Sequence, residues 1–139
     1  MVDLFKSSME EVFNRSFGLN VEPDESKPLP SGYAAEIPFS DGRRTYRATV
    51  WLERPVLEKL AEILLCENDP DEETLRDLTS EVANFIVGHA KMEASDRKLP
   101  YEMETPRFTG IEPLHPTDHT LHYRIDGRNV ALQLKETDE

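Results

Sequence analysis

Residues Glu72 to Glu93 carry a helical pattern of about six turns, and this long helix constrains the fold more than any other feature. The turn before it, ENDPDEE, places acidic side chains where they suit the positive end of the helix dipole. One side of the helix is an apolar stripe, which predicts that this side is buried in a core. The members of the apolar stripe are Leu75, Leu78, Val82, Phe85, Ile86 and His89.

Two shorter helices are predicted before the long one. Apolar residues recur at helical spacing over residues 2–17, and Gly18 is a suitable stop for that helix. Pro55 suits the first turn of the next helix, Val56 to Cys66. Cys66 is the only cysteine and ends an apolar run, so we expect a buried thiol rather than a nucleophile.

Short segments outside the helices predict strands. They are Tyr33–Phe39, Arg44–Leu52, Tyr101–Thr105, His119–Ile125 and Asn129–Lys135. The sequences SDG (40–42) and DG (126–127) are hairpin signals between neighbouring strands. This order of elements predicts an α+β fold with a mainly antiparallel sheet and helices packed on one face. No linker divides the chain, so residues 1–139 are expected to form a single domain.

Composition excludes several classes of function. The formal net charge of -12 argues against nucleic acid binding, which needs clustered Lys and Arg. No apolar run reaches the length of a membrane span, and the N-terminus lacks a signal-peptide pattern, so we expect no membrane insertion. A single cysteine cannot form an internal disulfide, which fits a cytoplasmic protein.

A second line of residues along the long helix is the main candidate for a functional site. Asp77, Glu81, Asn84 and Gly88 are spaced 4, 3 and 4 apart, so they lie within about 60° of one another on a helix. This polar stripe is centred roughly 100° from the apolar stripe and should be accessible. Gly88 costs the helix about 1 kcal/mol relative to Ala, and it would let another surface approach closely. An ordinary solvated helix face could show the same short spacing.

The wider pattern is more specific than the helix alone. The pattern Asp77-x3-Glu81-x2-Asn84, with Gly88 one turn later and Pro106 separated from Asn84 by 21 residues, resembles the CheC/CheX/FliY family of chemotaxis phosphatases, and CheX most of all. The resemblance implies the family's fold and, for CheX-like members, a homodimer. It also implies a substrate, namely phosphorylated CheY or another CheY-like receiver domain. Mg²⁺ would be held by that receiver partner, with no cofactor or metal in this chain.

The chemistry of aspartyl-phosphate hydrolysis agrees with these residue types. Such phosphoryl transfers depend mostly on positioning and electrostatics. The Asn84 carboxamide can accept a hydrogen bond from the attacking water and donate one, so we expect it to position that water. By the resemblance, Glu81 pairs with a lysine of the receiver and fixes the docking. Asp77 and Gly88 support docking or helix shape, and Pro106 shapes the loop beside the helix or has a purely structural role.

The first helix repeats part of the pattern. Ser7-x3-Glu11-x2-Asn14 precedes Gly18 with the spacing of the long helix, and EVFNRSFG can be compared with EVANFIVG. CheC-like relatives would use two such sites, whereas CheX-like ones typically use one. Because Gly18 ends the first helix soon after Asn14, we favour a relic or an ordinary helix surface over a second active site.

Other readings of the chain stay open. His115, Asp118, His119 and His122 could form a metal cluster, but their spacing straddles a proline loop, which favours ordinary polar residues. Trp51 is expected in the core or on a sheet face. For the function, the alternative to a phosphatase is a non-catalytic module of the same fold that binds a receiver or a flagellar or signalling partner. A purely structural dimer, with the polar stripe buried in the contact, is a third possibility.

Overall fold

The computed structural model describes residues 1–137, which form three helices and seven strands. The helices are α1 (Val2–Glu11), α2 (Arg54–Leu65) and α3 (Glu72–Asp96). The strands are β1 (Glu22–Asp24), β2 (Leu29–Ser40), β3 (Thr45–Leu52), β4 (Glu102–Met103), β5 (Arg107–Leu114), β6 (Thr120–Ile125) and β7 (Arg128–Thr137). A π-helical turn, Val12–Ser16, continues α1. Within this range no helix combines the length and apolar character that crossing a membrane requires.

The seven strands form one antiparallel sheet. Its order is β1-β6-β7-β3-β2, and both β4 and β5 pair with the remaining edge of β2. Pro38 lies in β2 between the β5 ladder, which reaches Glu36, and the β4 ladder, which begins at Phe39. The Pro38 carbonyl accepts from the Glu104 N–H on this side, so the missing proline N–H faces the break between the two ladders. The predicted α+β fold with an antiparallel sheet is confirmed.

The main core lies between the helices and one face of the sheet. The alternation of β2, β3 and β7 turns one set of side chains inward, and each helix adds its apolar side to them. The largest of these buried side chains include Phe5, Phe13, Ile37, Leu57, Leu75, Ile86 and Tyr123. The long helix is therefore anchored to the sheet along one side, as its periodicity predicts.

The opposite face of the sheet carries a smaller apolar cluster around Trp51. The indole packs with Leu29, Ala34 and Leu114, and its Nε1–H donates to the Glu112 carbonyl at 2.9 Å. Gly32 lies next to this ring, and a Cβ at that position would overlap sterically with the indole. The glycine in β2 is therefore required by the close approach of Trp51, which confirms the expectation of a sheet-face or core position for the tryptophan.

Several details differ from the sequence-based expectations, and the short strand β1 (Glu22–Asp24) was not among the predicted strands. Strand β5 was not predicted, because Gly110 and Pro113 interrupt its pattern, and such residues are tolerated where a strand pairs on one side. Cys66 is exposed, not buried, because α2 ends there in a left-handed residue with φ 56°. Phe85 is 48% exposed although it belongs to the predicted apolar stripe.

We predict that Gly32→Ala destabilises the fold by about 1–3 kcal/mol, because the added methyl group must displace the buried indole. Urea denaturation followed by Trp51 fluorescence measures the change. Gly88→Ala is the matched control: apart from the helix backbone around it, no atom of residues 1–137 lies within 4 Å of the added Cβ, and a helix interior favours Ala over Gly by about 1 kcal/mol. Equal effects of the two substitutions would contradict this account of the sheet face.

Candidate functional site

Helix α3 has a well-defined beginning. The Asp71 side chain caps it by accepting from the Thr74 N–H at 2.8 Å, and this hydrogen bond lowers the pKa of Asp71. Glu72, in the first turn, binds the Tyr33 hydroxyl of β2 and the Arg54 guanidinium of α2. Burial, followed by the hydrogen bond to Glu72, raises the pKa of Tyr33. These contacts hold the start of α3 against both the sheet and the neighbouring helix.

The inner side of α3 combines large and small buried residues. Leu75, Val82 and Ile86 are fully buried among the core side chains. The buried Thr79 hydroxyl donates a hydrogen bond to the Leu75 carbonyl at 2.7 Å. The Ser8 hydroxyl of α1 donates to the Ile86 carbonyl, which joins the two helices directly. These contacts fix the inner side of α3 to the sheet and to α1, and the position of its outer side is fixed with it.

The polar stripe lies on this outer side. The side chains of Asp77, Glu81 and Asn84 are exposed, and Gly88 is half-buried. Among residues 1–137, none forms a hydrogen bond or a salt bridge with the side chains of Asp77, Glu81 or Asn84. The Glu81 carboxylate and the Asn84 carboxamide are therefore free of polar contacts within the described residues, and their hydrogen-bonding groups are available to a partner.

Asn84 and Gly88 also line a groove between α3 and the end of α1, which we call the α1–α3 groove. It has a volume of about 280 Å³, and its remaining lining residues are Val12, Ser16, Phe85, His89 and Met92. The α1 wall is the π-helical turn, closed by the Phe17 N–H donating to the Val12 carbonyl at 3.0 Å. Such wide turns are frequent at functional sites. The groove thus adds an apolar surface to the polar stripe.

Half-buried polar side chains lie beside this groove where the two helices meet. The Ser7 hydroxyl of α1 donates to Glu93 Oε1 at 3.1 Å, and His89 Nδ1 lies 3.9 Å from the same oxygen. Within the described part of the chain, His89 Nδ1 and Glu93 Oε2 are buried without a hydrogen-bond partner. Ser7 is half-buried and therefore contributes to the packing of α1 on α3.

Pro106 stands outside this group of residues, between β4 and β5, and it is half-buried. The strand that follows it runs beside the first half of α3, where the Arg76 guanidinium lies over the Phe108 ring at 5.5 Å. Arg76 precedes Asp77, so the segment after Pro106 adjoins the first turns of the polar stripe. This placement is compatible with a role in shaping the surface beside the helix, and equally with a structural one.

The possible second site on α1 is organised differently. Glu11 forms a salt bridge with Arg15 at 3.2 Å, and Asn14 Oδ1 accepts from the Val21 N–H at 3.1 Å. Asn14 lies in the π-helical turn, so the three-residue spacing from Glu11 no longer follows an α-helix. With Ser7 bound to Glu93, all three residues have partners within the chain. The contrast with Glu81 and Asn84 favours a structural role for this set.

The histidine-rich segment does not form a cluster. His122 is buried, with Nδ1 2.7 Å from the Glu25 carbonyl and Nε2 2.8 Å from Asn129 Oδ1, and these contacts join β1 to the β6–β7 hairpin. His115, Asp118 and His119 are exposed. Over residues 1–137, no group of three or more His, Cys, Asp or Glu residues is placed to hold a metal ion.

The comparisons with known proteins identify the fold. The chain is similar to the chemotaxis protein CheX from Vibrio vulnificus, with a TM-score of 0.81, 15% identity, and coverage of 98% of this chain and 95% of that one. A CheC-like superfamily protein from Shewanella sp. PV-4 is also similar, with a TM-score of 0.77 and 18% identity. The match covers 99% of this chain and 97% of that one.

The chain also matches a structure of the CheX–CheY–BeF3–Mg complex from Borrelia burgdorferi, with a TM-score of 0.67 and 13% identity. This match covers 99% of this chain and 97% of that one. No family model matches the sequence, and no curated protein matches it. The CheC/CheX-like fold implied by the helix motif is thus confirmed.

The two asparagines should affect stability in opposite directions. We expect Asn14→Ala to lower the free energy of unfolding by about 1 kcal/mol, because it removes the hydrogen bond to the Val21 N–H. Asn84→Ala should raise it by a few tenths of a kcal/mol, because Ala is the better helix former and no internal bond is lost. Chemical denaturation of both variants measures this. A large loss of stability in Asn84→Ala would contradict the finding that its side chain makes no hydrogen bond within residues 1–137.

Proposed function

We propose that this protein is a phosphatase that hydrolyses the aspartyl phosphate of a CheY-like receiver domain, in chemotaxis or a related two-component pathway. The observation that carries the proposal is the exposed Glu81–Asn84 pair, unengaged within residues 1–137, on a helix held rigidly by the core. The CheX-like fold, found also in a CheX–CheY complex, supports the choice of partner. The protein itself is proposed to act in the cytoplasm.

In the proposed reaction, water attacks the phosphorus atom opposite the aspartyl oxygen. The phosphorus–oxygen bond to the aspartate breaks, the carboxylate leaves with the electron pair, and the proton lost by water ends on inorganic phosphate. The Asn84 amide oxygen accepts a hydrogen bond from the water and holds it in line. A carboxamide does not act as a base at neutral pH, so its contribution is positional.

Glu81 is proposed to fix the orientation of the receiver. It lies one turn before Asn84, on the same side of α3, and its carboxylate can form a charge-assisted hydrogen bond with a lysine of the partner. Asp77, one turn further back, extends the acidic surface in the same direction. Mg²⁺, which neutralises charge on the phosphoryl group, is proposed to be held by the receiver.

The test is the decay of a phosphorylated CheY-like receiver from the same organism, with and without this protein. We expect the wild type to accelerate phosphate release, and Asn84→Ala to remove the acceleration while the receiver still binds. Glu81→Gln should weaken binding, since it removes the charge of the lysine contact. Asn14→Ala is the control and should retain activity.

Equal losses in the Asn14→Ala and Asn84→Ala variants, with both folded, would mean that α1 carries a second active site. Binding without any acceleration by the wild type would leave the non-catalytic interaction module as the function. No binding to the organism's receivers would contradict both the phosphatase and the receiver-binding module.

A homodimer is also part of the proposal. Among the described strands, β5 pairs with β2 alone, so its other edge presents backbone groups that a second subunit could pair with. Ile111 of β5 is 48% exposed and lies on this edge strand, so it could contribute apolar contact to such a pairing.

We predict that sedimentation gives twice the mass of one chain and that Ile111→Lys shifts the protein toward the monomer, because a charge on an edge strand opposes pairing. Ile63→Lys, at a similarly exposed position on α2, is the control and should leave the dimer intact. A wild type that sediments as a monomer at all concentrations would rule out this arrangement.

A further inference from the structure

Two large apolar side chains are exposed on α3 beside the polar stripe. Phe85 is 48% exposed and Met92 is 70% exposed, and both line the α1–α3 groove together with Asn84. Single exposed apolar residues are common on protein surfaces and need no explanation. Here, however, two of them lie in the same groove as the proposed catalytic carboxamide, so they form part of the surface that a partner meets there.

Phe85 is also held in place. Its ring makes an edge-to-face contact with Phe17 at a centroid distance of 5.7 Å, and Phe17 is itself buried against Phe13. An aromatic side chain that is already ordered loses little conformational entropy when a partner binds to it. Phe85 is therefore suited to act as a fixed anchor.

Gly88 keeps the middle of the groove open. No atom of the described chain lies within 4 Å of the position that a Cβ would take, so internal packing does not require a glycine. Gly88 lies one turn after Asn84 and one turn before Met92, where a side chain would project between them. The residue lowers helix stability, and its visible effect is to leave space for an atom from outside the chain.

We infer that the α1–α3 groove is a second contact of the docking site, which receives an apolar side chain presented by the receiver domain beside its phosphorylated aspartate. This inference rests on the proposed function. The occupant follows from continuity: Asn84, Phe85 and Gly88 line one groove, so a partner that brings a phosphoryl group to the Asn84 carboxamide approaches that same groove. Glu81 orients the receiver, and the groove supplies apolar contact area.

The division of roles predicts separate kinetic effects. Phe85→Ala and Met92→Ala should each raise the KM for the phosphorylated receiver, and the Kd of the receiver loaded with beryllofluoride, about tenfold. Their kcat at saturating receiver should stay near that of the wild type, since neither side chain touches the water. Asn84→Ala should show the reverse pattern, with kcat lost and Kd retained.

Two further variants separate binding from folding. Gly88→Ala should unfold at a higher temperature than the wild type and yet bind the receiver more weakly, because its methyl group enters the groove. Ile63→Ala removes an apolar side chain that is 41% exposed on α2, outside the groove, and should change neither KM nor Kd.

The outcomes distinguish this inference from the proposed function. Unchanged KM and Kd in the Phe85, Met92 and Gly88 variants, with Asn84→Ala inactive, would overturn the groove contact and leave the phosphatase standing. A shift in self-association instead of receiver affinity would assign the groove to a second copy of the chain and overturn the inference as well. A wild type that binds no loaded receiver would overturn both.

Discussion

The burial of one side of α3 against the sheet is the constraint on which the rest of this structure depends. The helix has 25 residues, and nine of them are buried, including three alanines that let it lie close to its neighbours. Because this side is fixed, the opposite side is fixed too, and Glu81 and Asn84 project from it at a set spacing. A site built on such a helix is held more accurately than one built on a loop.

This arrangement allows the outer side of α3 to carry residues that do not stabilise the chain. Asn84 and Gly88 are poorer helix formers than Ala, and Phe85 and Met92 leave apolar surface in water. Asn84 and Gly88 each cost the helix roughly a kcal/mol or less relative to Ala. The buried side of the helix offsets these costs, so the outer side can carry residues that internal packing does not require.

The sequence predicted those parts of the structure that depend on regular periodicity. The 3.6-residue repeat located all three helices, and hairpin signals located β2–β3 and β6–β7. Elements that depart from regular periodicity were not predicted. Strand β5 contains Gly110 and Pro113, which interrupt its alternation. Cys66 was expected to be buried because it follows an apolar run, but it is exposed. The exposure of Phe85 depends on where α1 ends, which is a tertiary property. Residue spacing alone predicted the polar stripe. The groove beside it could not be predicted, because one of its walls is the π-helical turn, which the sequence pattern does not reveal.

That turn also explains why similar sequences in α1 and α3 give different surfaces. EVFN and EVAN share the Glu-x-x-Asn spacing, but the first lies where α1 widens and the second in a continuous α-helix. Asn14 therefore accepts a hydrogen bond from the Val21 N–H, whereas the Asn84 side chain makes no hydrogen bond within the described residues. The widening that removes Asn14 from the pattern also places Val12 and Ser16 opposite Gly88, as the second wall of the groove. The two helices thus share a spacing in sequence, while in the structure the π-helical turn of α1 forms one wall of the groove and α3 forms the other.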